Sequence, residues 1–221
     1  MNKKLKDIII KIGDKLTRLG DYYNIRWLVY NPITWGRFLH QSRYNGCIFS
    51  RTVKKVLPEI VTSLDVGSGG GGYVYYLRKH GYDAEGIEYS LIGRILGLLQ
   101  GLHIRKYNCE WKTNPFQFKQ FDLVYSIEVG EHIPYHLSDS FVEYISNRGR
   151  VIVFSAAHPG QGGQGHINEQ PKKFWKEKFE KHGFAYQYED TKEFQKNLIE
   201  LGYKGWLPEN IQIFRSIKQI N

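Results

Sequence analysis

Two groups of residues in this chain have types and spacings that could do chemistry. The first is Asp65-x-Gly67-x-Gly69-x-Gly71, an acid heading glycines at alternate positions. Such glycines let the backbone take positive φ and come close to a ligand. Main-chain N–H groups and a helix N-terminus then point at whatever lies there. A carboxylate in front of the turn would repel a pyrophosphate and attract a cationic nucleoside. Glu88 lies 23 residues further on, where an acid bonds ribose hydroxyls in nucleotide-binding βαβ units. The second group is Glu128, Glu131 and His132, with His158 and His166 downstream. Imidazole titrates near neutral pH, so the three histidines are candidate bases. Glu128 and Glu131 could orient a base or hold a polar acceptor; backbone N–H bonding is their plainer role. Cys47 and Cys109 give neither a metal-ligand spacing nor a disulfide framework, and no metal-ligand cluster is visible along the chain.

The elements around these residues alternate. Residues 60–66 predict a first strand, and the helix after the glycines runs to His80 with Gly81 as its stop. Residues 83–88 form strand two, Ser90 to Gly101 a helix, and 103–108 strand three. Phe121-Asp122-Leu123-Val124-Tyr125-Ser126 is the best strand pattern in the chain. Ser138 to Ser146 is a helix with Ser138 as its N-cap, and Arg150 to Ser155 is strand five. The glycine-rich stretch Ala156 to Asn168 is too long for a mere connector, and such loops are usually lids or binding loops. Pro171 to His182 is a helix, Phe184 to Glu189 a strand, Thr191 to Leu201 a helix, and Asn210 to Ile217 the last strand.

The glycine turn resembles the first motif of class I S-adenosylmethionine-dependent methyltransferases, whose cofactor carries an ammonium and a sulfonium. The segment Phe121 to Pro134, FDLVYSIEVGEHIP, resembles the fourth-strand motif of small-molecule members with a Glu-His pair after the strand. The loop PGQGGQGHIN resembles a branch of that family. The resemblance covers about residues 59–217 and implies an α/β, Rossmann-like seven-stranded sheet with its last strand antiparallel. It implies S-adenosylmethionine as cofactor, held by Asp65, Gly67, Ser68, Gly69, Gly71, Glu88, Tyr89 and Ser126. After strand three the family often places Asp against the adenine amino group. Here Asn108 and Cys109 follow, and an amide can still bond the adenine edge. No metal is implied. His132, His158, His166 and Glu128 become the catalytic candidates. The absence of an Asn/Asp-Pro-Pro-Tyr segment and of a cysteine after strands four and five disfavours nucleic-acid base methylation.

Composition sets the remaining bounds. The chain of 221 residues fits one core with an added cap. Residues 1–58 hold 12 Lys/Arg against 3 acids, while 59–221 hold 19 of each, so the whole net charge of +9 precedes the glycine turn. This predicts a basic, aromatic-rich helical cap over 1–58 and a cofactor-binding core over 59–221. Residues 4–19 place Leu5, Ile8, Ile9, Ile12, Leu16 and Leu19 on one helical face with Gly20 as the stop. The helix either packs on the core with a solvated basic face, lies on a membrane surface or offers an anion-binding face. Pro32 and Gly36 are expected to break the aromatic run 21–50 into short helices, with Arg51 to Leu57 a further one and rings such as Trp27, Tyr30 and Trp35 packing or walling a ligand site. No signal peptide or spanning segment is evident, so a reducing cytoplasm is expected. The leading expectation is methylation of an oxygen or nitrogen on a small polar acceptor. RNA or peptide methylation using the basic cap and a nicotinamide-dependent oxidoreductase are the alternatives; the oligomeric state is open.

Overall fold

The computed structural model describes residues 3–23, 31–109, 115–116 and 119–217. Trp27 and Tyr30 lie outside the described residues. Two helices come first, α1 (Lys3–Tyr22) and α2 (Pro32–Val56). The alternating part follows: β1 (Thr62–Val66), α3 (Gly72–Lys79), β2 (Asp83–Glu88), α4 (Leu91–Leu98), β3 (Arg105–Lys106), β4 (Phe121–Ile127), α5 (Ser138–Ser146) and β5 (Gly149–Ser155). The chain closes with α6 (Lys172–Lys181), β6 (Phe184–Tyr186), α7 (Tyr188–Glu200), α8 (Leu207–Asn210) and β7 (Gln212–Ser216).

The seven strands order as β3-β2-β1-β4-β5-β7-β6, with β7 antiparallel to both of its neighbours. This is the Rossmann-like methyltransferase sheet. The strand order reverses between β1 and β4, and ligands in open α/β sheets bind at the carboxyl ends of strands at such a point. β4 shows why the sheet holds. Leu123 and Tyr125 join a core with Phe49, Val53, Leu77 and Phe194, while Val124 faces a second core with Phe141, Trp175 and Phe179. A strand covered on both faces needs apolar residues in succession, which Leu123-Val124-Tyr125 supplies at its centre.

The N-terminal part departs from expectation. Pro32 opens α2 instead of breaking it, because its missing N–H is unneeded at the first helical position. Asn31 caps the helix, its side chain accepting from the Ile33 and Thr34 amides at 3.1 and 3.2 Å. Gly36 sits inside α2, and the stretch from Arg51 is its last turn. Gly46 is needed for close approach, since a Cβ there would stand 2.6 Å from the Gly72 carbonyl oxygen of α3. Gly20 does not stop α1 either; it is buried within the helix. The packing face of α1 is Gly13, Thr17 and Gly20, small residues that let the helix settle on Ile33 and Thr34. Leu5, Ile8, Ile12 and Leu19 are instead 39–50% exposed. Later boundaries shift slightly: Ser138 is the first residue of α5 and its cap is Leu137, while β3 and β6 are shorter than their patterns. No helix among the described residues is long and apolar enough to cross a membrane.

Candidate active site

β1 ends at Asp65-Val66, and the turn after it is stitched to β2: the Gly67 and Ser68 amides both donate to the Ile87 carbonyl at 3.0 Å. Gly67, Gly69 and Gly71 have φ of +86°, +54° and +80°. At Gly67 glycine is required twice over, since a Cβ would also lie 2.5 Å from Val129 in the turn after β4. That contact ties the two halves of the site together. Glu88 reaches back across the turn, accepting from the Gly69 amide at 2.8 Å and the Ser90 amide at 2.7 Å. Trp35 of α2 lies over Gly69 and Gly93, so one of the aromatic residues before the core does wall this turn.

Asp65 is 3% exposed, and its Oδ2 has no hydrogen-bond partner. Burial first, then the neighbouring Glu88, holds its carboxyl well above the usual carboxylate range. Tyr125 lies beside it, and Tyr73, paired through its hydroxyl with Tyr203, lies nearby. A buried carboxylate with an unpartnered oxygen is costly unless something cationic meets it. The residues present fit the cofactor: a buried carboxyl at the turn that a cation would relieve, a glycine surface for close approach, and a second acid, Glu88, across the turn. Ser68 is buried with its hydroxyl unpartnered, while Tyr89 is exposed beside Glu88. Asn108 and Cys109 are half-buried just past β3. Ser126 is fully buried and its hydroxyl donates to the Val66 carbonyl at 2.9 Å, so it joins β4 to β1.

The second half forms where the turn after β4 meets the loop after β5. Among the described residues Glu128 is the only non-glycine with positive φ (+53°), a conformation that persists only where its surroundings enforce it. Here its amide donates to the Ser155 carbonyl at 3.1 Å, and its carboxylate accepts from Asn210 at 3.1 Å and Gln161 at 3.2 Å. The Ile167 and Asn168 amides both donate to the Glu131 carbonyl, at 2.9 and 3.0 Å. Buried Asn168 donates to Ser138 at 3.0 Å. The loop is thus built onto the core along its length.

These contacts bring His132 and His166 together, with ring centroids 5.1 Å apart, beside the 1% exposed Glu131. His132 Nδ1 lies 3.0 Å from the Gly165 carbonyl, and His166 Nδ1 lies 2.8 Å from Glu169 Oε1. Glu169 also accepts from the Gly160 and Gly162 amides, at 2.9 and 2.8 Å, and the His166 contact leads in holding its carboxyl below the ordinary value. Burial, then Glu128, pushes Glu131 up to about 8. His158 is not part of this group; it faces Trp206, ring centroids 6.5 Å apart. Glu169 and Asn210 were not among the sequence candidates. Glu169 alone had a signal, as an acid three residues after His166.

A sequence profile described as a methyltransferase domain matches residues 64–151, which span β1 through the start of β5. The chain carries a methyltransferase domain, and its fold is that of class I S-adenosylmethionine-dependent methyltransferases. S-adenosylmethionine is accordingly its cofactor, and the nicotinamide alternative falls. No curated protein matches the sequence of this methyltransferase. Among solved structures it is similar in fold to a sugar N-methyltransferase from Streptoalloteichus, at 13% identity and a TM-score of 0.58, covering 76% of this chain and 85% of that one. A TehB-like methyltransferase from Corynebacterium glutamicum gives 17% and 0.58, covering 84% and 100%. The magnesium protoporphyrin IX methyltransferase of Synechocystis, solved with S-adenosylhomocysteine bound, gives 14% and 0.54, covering 70% and 78%. These neighbours include a sugar and a porphyrin methyltransferase, so one fold serves unlike acceptors.

Proposed function

We propose that this methyltransferase acts on a small polar acceptor, with an oxygen favoured over a nitrogen, at the cluster formed by Glu131, His132 and His166. S-adenosylmethionine, when bound, supplies an electrophilic methyl on a cationic sulfur. Asp65 holds the cationic end through its unpartnered oxygen, and Glu88 holds the ribose hydroxyls. Asn108 meets the adenine edge, with Tyr89 and Cys109 flanking it. Aligning two reactants supplies much of the acceleration in a displacement whose leaving group is already good. The rest of the task is to let the acceptor lose a proton. The observation that carries this reading is the polar cluster itself, two imidazoles and a buried carboxylate on loops packed against the glycine turn through Val129 and Gly67. Glu128 holds the loop in place through Gln161 and Asn210. Assay of methyl transfer to matched hydroxyl and amine acceptors tests the reading. Transfer to hydroxyl compounds that falls at least about ten-fold in Glu131→Gln is expected, and amine-only transfer would reject the oxygen preference.

We further propose that residues 1–58 act as a basic cap whose α1 lies on an anionic lipid surface. The exposed Leu5, Ile8, Ile12 and Leu19 share a helix with Lys4, Lys11, Lys15 and Arg18, the combination of an interfacial helix. An apolar stripe has no use against RNA phosphates, which ranks RNA lower. Co-sedimentation with vesicles containing anionic lipid, lost on Ile8→Gln with Ile12→Gln, is expected; binding to RNA but not to vesicles would reverse the order.

A further inference from the structure

We propose that Glu131, His132 and His166 bind a divalent first-row transition-metal ion on the acceptor side of the site. One ligand atom from each of the three lies within 4.8 Å of the others, and His166 Nε2 is 3.9 Å from Glu131 Oε1. Nitrogen and oxygen ligands sit about 2.0–2.2 Å from such an ion, so pairs of them stand roughly 3 to 4.4 Å apart and the cluster needs only a small closure.

The rings are set for this task. A carbonyl oxygen can only accept, so the contact with Gly165 places a His132 proton on Nδ1 and turns Nε2 to the ligand side. Glu169 does the same for His166. Metal-ligating histidines characteristically donate their other ring N–H to a carbonyl or a carboxylate in this way. Glu131 gives an independent sign. It is 1% exposed, and its Oε2 has no hydrogen-bond partner. Among the described residues no Lys or Arg forms an ion pair with Glu128, Glu131 or Glu169, so three carboxylates gather without a fixed cation.

Two imidazoles and a carboxylate suit Zn²⁺, Fe²⁺, Co²⁺ or Mn²⁺ better than the oxygen-seeking Ca²⁺. Three protein ligands leave coordination open, as in catalytic rather than structural sites. A hydroxyl bound there becomes acidic enough to give its proton to water near neutral pH. Its lone pair then forms the new C–O bond while the S–C bond pair returns to sulfur. This role rests on the methyltransferase reading of the same site and turns it towards oxygen acceptors.

Co²⁺ is the probe, because its visible absorption reports the ligand set. The chelator-stripped full chain is titrated with Co²⁺, and S-adenosylhomocysteine is titrated in parallel. One Co²⁺ per chain is expected. Glu131→Gln and His166→Gln each weaken it at least about ten-fold, Glu169→Gln weakens it by about ten-fold, and His158→Ala keeps it. S-adenosylhomocysteine binding persists in all four, showing that they fold. A chain that binds S-adenosylhomocysteine but no stoichiometric Co²⁺, or whose Co²⁺ binding survives both Glu131→Gln and His166→Gln, overturns the metal site alone. Co²⁺ binding with no S-adenosylhomocysteine binding leaves the metal site standing and overturns the role assigned to it.

Discussion

Asp65, near the end of β1, and Glu131, just past the end of neighbouring β4, are in the same chemical predicament. Each is almost fully buried, and each keeps one carboxylate oxygen without a partner. Burial is the first cause raising each carboxyl and a second carboxylate the next, Glu88 for Asp65 and Glu128 for Glu131. Their surroundings differ. Asp65 lies behind the glycine turn beside Tyr125 and Tyr73. Glu131 faces two imidazoles whose protons are already pinned elsewhere, a set that suits a metal ion or an acceptor hydroxyl. Two buried carboxyls at one switch point, each with an unpartnered oxygen, would each be relieved by a positive charge, and the proposals above assign a different charge to each from its surroundings.

The comparison can be broken from either side. The largest effect belongs to Asp65→Asn, which should weaken S-adenosylhomocysteine by about 1.5–3 kcal/mol, roughly ten- to hundred-fold, through loss of a charged hydrogen bond. The pH dependence sharpens it. The raised carboxyl of Asp65 means that its ionisation costs the unliganded fold stability, so that share of stability is lost as pH rises through its folded pKa. A cationic ligand needs the ionised form. Wild-type affinity should therefore climb with pH up to that point, with proton release on binding, whereas Asp65→Asn stays flat; calorimetry in buffers of different ionisation heat reads both. Next comes Glu131→Gln, which should lower turnover by about ten-fold or more while leaving S-adenosylhomocysteine affinity within about two-fold. Gly67→Ala touches both sides at once. Its φ of +86° and the Val129 contact should cost about 1–3 kcal/mol in denaturant unfolding. The smallest effect is Ile8→Gln on α1, within about 0.5 kcal/mol of wild type because the position is exposed, with vesicle binding reduced.

The contrast also marks what the chain discloses when read in order. Asp65, its glycines and Glu88 were legible because the turn is contiguous and its acid sits at a fixed distance. The strand positions were legible where β1 and β4 carry apolar residues between turn signals, and the sheet type followed from the resemblance. The Glu131–His132–His166 cluster was legible only as separate candidates. His166 lies on a loop after the next strand, and the contacts that bring it to His132 are main-chain bonds from residues 167 and 168 to Glu131. Asn210, which holds Glu128, ends a four-residue helix, where the sequence pattern begins the last strand. In α1 the period of the apolar residues gave the face correctly but not what the face meets. Packing went instead to Gly13, Thr17 and Gly20, whose small size a hydrophobicity pattern does not register.

The most direct measurement is calorimetric titration of S-adenosylhomocysteine into the wild-type chain, Asp65→Asn and Glu131→Gln side by side. One site per chain is predicted, with affinity lost at least about ten-fold in Asp65→Asn and kept in Glu131→Gln. Equal affinity in the wild type and Asp65→Asn, or an equal loss in both variants, would contradict the assignment of separate charges to the two carboxylates.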